Sequence, residues 1–133
     1  MIAELPKCGS AELDHHDSKS GELKARTKKF AIRVIRLFKA LPNRPAEQVV
    51  GKQALRAGTA VAANYRAACR ARSKPEFVAK IGVVSEEADE SVFWLELMVE
   101  SGLVKAKLME ALLKEARELS AIFTASYNTA RGK

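Results

Sequence analysis

QALRAGTAVAANYRAACRAR, Gln53 to Arg72, is the stretch that decides the fold. It has the composition of a helix, yet its inner positions are mostly Ala, Gly, Thr and Val, and it collects arginines without a single acid. At about 100° per residue, Val50, Ala54, Ala57, Gly58, Val61, Ala62, Tyr65 and Ala68 share one broad side. A side so poor in bulk lets neighbouring helices come close. Asn64 falls at the edge of that side, where a satisfied polar group fixes register.

Working outward, the helix begins at Pro45, capped by Asn43 or Arg44, and extends to about Arg72, roughly 28 residues or 42 Å at 1.5 Å each. Upstream, Leu23, Phe30, Val34, Leu37 and Leu41 recur on one face, which predicts a helix from about Ser20 to Leu41. LPNRP, residues 41–45, ends it, because Pro42 and Pro45 cannot continue the ladder. Downstream, Ser73 and Glu76 have the spacing of a capping box, with Pro75 in the first turn. That third helix closes at Gly102, placed for a left-handed C-terminal cap. A fourth, from about Lys105 to Asn128, carries Leu108, Leu112, Leu119, Phe123 and Ser126 in one stripe.

No segment alternates with period two as a strand does. The expectation is an all-α fold, an antiparallel up-down-up-down four-helix bundle over residues 20–131. Residues 1–19 lack a period and read as a flexible leader. With 133 residues, 47% of them apolar, the chain is one domain with a real core. It has neither a signal-peptide pattern nor an apolar run long enough for a membrane span, so a cytoplasmic protein is expected. Cys8 and Cys69 stand in unlike contexts and read as free thiols.

The formal charge of +7 is unevenly spread. Residues 20–73 hold 13 basic groups against 2 acidic, net +11, while residues 74–102 hold 2 against 7, net −5. Such asymmetry points to an anionic partner, to self-association, or to both. Lys52, Arg56, Arg66 and Arg70 gather on the outer flank of the second helix. Arg26, Lys29, Arg33 and Arg36 make a second ridge on the first, and antiparallel packing could set the two side by side. Ridges of this kind attract phosphate chains whatever the base sequence. No aromatic residue interrupts them, so base stacking is not expected.

The third helix is the acidic counterpart. Phe77, Ile81, Val84, Ala88, Leu95 and Val99 form its main stripe, while Phe93 and Leu97 point nearly the opposite way among Glu86, Asp89, Glu90 and Glu100. Apolar groups on two sides need two burial partners. Glu86, Glu90, Phe93 and Leu97 are therefore expected at a subunit interface, with the acids facing a neighbour's cations. Trp94 lies between the two sides.

Both histidines, His15 and His16, sit in the leader, so the Glu-x-x-His pairs of di-iron bundles and zinc-ligand spacings are missing. There is no glycine-rich phosphate loop, nucleophile elbow or HExxH. The expectation is a non-enzyme with no metal and no cofactor.

Three stretches carry a family resemblance. Residues 53–77 (QALRAGTAVAANYRAACRARSKPEF), 87–104 (EADESVFWLELMVESGLV) and 115–131 (EARELSAIFTASYNTAR) resemble motifs of the four-helix-bundle proteins encoded in 23S rRNA intervening sequences. The likeness covers about residues 24–131. It implies a homopentameric bundle with no established activity, akin to the basic accessory protein of diversity-generating retroelements, which works with a reverse transcriptase and nucleic acid. Where that family commonly carries an acid and a glycine, this chain has Ala67 and Ala68, which makes the patch near Arg66 more basic. Residues and resemblance together lead to a basic helical oligomer that binds RNA or DNA through phosphates. The alternative is an interaction module whose charges serve its own assembly.

Overall fold

The computed structural model describes residues 14–132, with side chains from Lys19 onward. Four helices follow one another: α1 (Asp14–Ala40), α2 (Pro45–Ala68), α3 (Lys74–Glu100) and α4 (Ala106–Ala130). Among the described residues there is no strand, and the bundle is up-down-up-down. Sequential neighbours pack along most of their length, while α1 meets α4 over a much shorter stretch. No helix among the described residues is long and apolar enough to cross a membrane.

The helix boundaries follow local chemistry. Ser73 caps α3, its Oγ accepting from the Glu76 N–H at 3.2 Å. The carboxylate of Glu76 reaches back one residue further than a capping box requires, accepting from the Arg72 N–H at 3.2 Å. Gly102 has φ 79°, a left-handed conformation that glycine adopts without a Cβ penalty, and it ends the turn after α3. Two ends differ from the sequence expectation. The helix α2 stops at Ala68, because Arg70 and Ala71 donate three residues back, to Ala67 and Ala68, as the chain tightens toward the next helix. In turn, α1 starts at Asp14, so residues 14–19 of the expected leader are helical, and the rest of that leader lies outside the described residues.

The small side of α2 is where the helices close up. Ala54, Ala57, Gly58, Val61, Tyr65 and Ala68 are buried, and Val50 and Ala62 half-buried. A Cβ on Gly58 would lie 2.9 Å from Val34 Cγ2 of α1, and one on Gly51 2.6 Å from Leu41 Cδ1. Bulk removed from α2 is returned by large residues around it: Phe30, Ile81, Leu95, Met98, Met109, Leu119 and Phe123 are all essentially inaccessible. Tyr65 and Phe123 form the aromatic centre, their ring centroids 5.4 Å apart at 47°. Buried Thr27, Ser91 and Ser126 each donate to the carbonyl four residues back, at 2.8 Å, which satisfies them within their own helices.

Two details correct the sequence reading. Leu108 is 77% exposed and Met109 takes the inner position instead. The contact between α1 and α4 is short, and Leu108 is left uncovered by the described residues. Cys69 is buried and disulfide-bonded, not the free thiol expected; Cys8 lies outside the described residues.

Candidate nucleic-acid interface

Of the eight candidate cations, two are paired and six have no acid partner among the described residues. On α1, Arg26 Nε donates to Glu115 Oε2 at 2.7 Å, and its Nη2 donates to Glu115 Oε1 and Glu118 Oε1, both at 2.8 Å. This fork across the α1–α4 seam holds the guanidinium more firmly protonated than usual, through its hydrogen bonds to Glu115 first, against the opposing effect of burial. On α2, Arg56 Nη1 donates to both Glu87 oxygens at 3.1 and 3.2 Å, and Nη2 donates to Glu90. Here slight desolvation opposes the charge, but Glu87 and Glu90 outweigh it and the Arg56 pKa is raised. Arg26 and Arg56 therefore tie the bundle together, and their donors are engaged.

The two ridges do not adjoin. Arg26 turns toward α4 and Arg56 toward α3, so each leans away from the other helix. Lys29, Arg33 and Arg36 share the α1 face of Arg26. They are exposed, Arg33 partly so, and no described acid pairs with them. Lys52 and Arg66 on α2 and Arg70 in the turn just after it are exposed, likewise without an acid partner among the described residues. Asn64 is half-buried, and its Nδ2 donates to the Ala60 carbonyl at 2.9 Å, a satisfied group as the sequence suggested.

Arg66 and Arg70 open instead onto a groove at the corner between α2 and α3. It holds about 470 Å³ and is lined by Ala63, Arg66, Ala67, Arg70, Arg72, Glu76 and Lys80. Ala67, where the resembled family commonly carries an acid, lines this groove. Sequence reasoning missed Arg72 and Lys80. Arg72 lies in the connection, off any helical ridge, and Lys80 belongs to the acidic helix, so neither stood out by periodicity.

The expected interface residues are on the outer side of α3. Phe93 is 52% exposed, Glu86 and Glu90 are exposed, and Leu97 is half-buried. Phe93 packs edge-on to the half-buried Trp94, with centroids 4.8 Å apart at 73°. Of the acids expected to face a neighbour's cations, Glu90 already accepts, beside Glu87, from Arg56 of its own chain. Trp94 Nε1 is buried without an acceptor among the described residues. Those residues include no group of three His, Cys, Asp or Glu arranged to hold a metal ion.

A family model described as 23S rRNA-intervening sequence protein matches residues 20–125. The chain belongs to that family. A crystal structure of a protein of unknown function from the S23 ribosomal protein family of Bacteroides thetaiotaomicron VPI-5482 is 30% identical, with a TM-score of 0.75. The match covers 82% of this chain and 97% of that one, so the family bundle is nearly all of the solved relative. A comparison with curated proteins found no match.

Proposed function

We propose that this member of the 23S rRNA-intervening sequence family is a non-enzymatic oligomer, a homopentamer, that binds RNA or DNA through phosphate contacts as a scaffold or accessory factor. Six of the eight candidate cations, Lys29, Arg33, Arg36, Lys52, Arg66 and Arg70, lack an acid partner among the described residues, and that observation carries the reading. Unpaired cations on a +7 chain attract a polyanion through charge and counterion release. Several identical subunits multiply modest contacts by avidity. A reverse transcriptase is a candidate protein partner by the same resemblance, and we infer action in the cytoplasm, where ribosomal RNA is found.

Fluorescence anisotropy with two labelled RNAs of unrelated sequence tests this reading. Comparable binding of both at low salt supports it. No binding of either would refute it.

A second reading rests on Phe93, which stays half exposed beside Trp94 on the acidic helix. In that reading the outer side of α3 joins copies of the chain or a protein partner, and nucleic acid plays no part. Oligomers that form normally yet ignore RNA and DNA at every salt concentration would favour it.

A further inference from the structure

Elsewhere in the bundle, arginines at the helix seams are met by acids: Arg26 by Glu115 and Glu118, Arg56 by Glu87 and Glu90, Arg117 by Glu96. The α2–α3 corner is different. Arg66 stands in the last turn of α2, Arg70 and Arg72 follow in the connection, and Lys80 lies two turns into α3, all on one groove. No described acid forms an ion pair with any of the four. The sole acid in the lining, Glu76, accepts instead from the Arg72 backbone N–H at 3.2 Å, where it helps to anchor the start of α3.

We propose that this groove is a discrete phosphate-binding site that takes consecutive phosphodiester groups of a nucleic-acid backbone and leaves the bases outside. This deepens the nucleic-acid reading above and rests on it. Three features fix the ligand class. Arginine forks engage phosphate oxygens bidentately, and a lysine adds a point charge. The methyl side chains of Ala63 and Ala67 leave the space between the cations open. No aromatic or large apolar side chain lines the groove, so nothing there stacks on a base or encloses an apolar ligand. Contacts confined to phosphate position a strand without reading its sequence.

The test compares variants of equal charge change. Arg66→Gln with Arg70→Gln removes two groove cations. Lys107→Gln with Lys114→Gln removes two exposed cations of α4, and Glu110→Gln matches Glu76→Gln; none of these control residues has an ion-pair partner among the described residues. With single-stranded oligouridylate as probe, the groove pair is expected to weaken binding about 25-fold at 0.1 M salt and to lower the salt slope by about 1.4, the counterion release of two phosphates. The control pair changes affinity far less, Glu76→Gln strengthens binding, and Glu110→Gln does not. Oligoadenylate behaves like oligouridylate.

Equal losses from the groove and control pairs would mean a diffuse basic surface and overturn the site, with nucleic-acid binding intact. If the wild type ignores both oligonucleotides, inorganic tripolyphosphate followed by phosphorus NMR separates the two claims. Tripolyphosphate binding lost in the groove pair keeps an anion site and discards the nucleic-acid reading. No tripolyphosphate binding discards the site as well.

Discussion

Arg56 on α2 donates to both carboxylate oxygens of Glu87 on α3, at 3.1 and 3.2 Å, and so turns a candidate phosphate contact into a strut between helices. The pair is only partly shielded, with 47% of the arginine side chain and 20% of the glutamate exposed. Arg56→Ala is therefore expected to lower stability by about 0.2–1 kcal/mol at low salt, with the difference shrinking as salt is added. Urea denaturation at two ionic strengths measures it. The same variant should bind RNA nearly as well as the wild type, since its donors are already engaged.

Gly58→Ala tests the close approach of α1 and α2. The new Cβ would meet three atoms of Val34, the Cβ and both methyls, at 2.9–3.2 Å. Valine is stiff at χ1 and cannot swing aside. The strain of about 1–3 kcal/mol from overpacking exceeds the gain of about 1 kcal/mol from replacing a helical glycine. A lower urea midpoint is expected. Gly51→Ala should cost less, because its nearest neighbour, Leu41 Cδ1, is the tip of a flexible side chain.

Tyr65 governs the alkaline limit. Burial pushes its pKa well above the ordinary 10.0, and its hydroxyl has no hydrogen-bond partner among the described residues. Above about pH 10 the unfolded chain loses this proton and the folded one keeps it. Folding stability should then fall by about 1.4 kcal/mol per pH unit, until the folded-state pKa is reached. Tyr65→Phe should remove that contribution and leave neutral-pH stability unchanged or slightly raised, because an unpaired buried hydroxyl is lost. Denaturation midpoints from pH 8 upward, in both proteins, check the sign.

Much of the fold was legible because caps and periodicity act locally. Ser73, Pro75 and Gly102 marked the ends of α3, and the Ala and Gly side of α2 announced tight packing. The site was less legible because the acids that engage Arg26 and Arg56 lie 89–92 and 31–34 residues away, beyond any periodic signal. The same limit hid Arg72 and Lys80, which join Arg66 and Arg70 only when the chain turns at the α2–α3 corner. Leu108 failed for a geometric reason: a regular stripe records which way a side chain faces, not whether a neighbouring helix packs closely enough to cover it.

Phe93→Asp probes self-association. Phe93 is half exposed in the single chain, so a charge there should leave the bundle folded. In an assembly that buries it, the same charge loses its solvation and separates the subunits. Light scattering is expected to give the mass of a pentamer of 14.6 kDa chains for the wild type and smaller species for the variant. An unchanged mass would remove Phe93 from the interface.

The salt dependence of RNA affinity tests the central claim most directly, because cations that neutralise phosphates must release counterions. A plot of log affinity against log salt for the wild type should fall linearly, by roughly 0.7 for each phosphate engaged on a single strand. An affinity indifferent to salt, or no binding even at the lowest salt, would contradict the account.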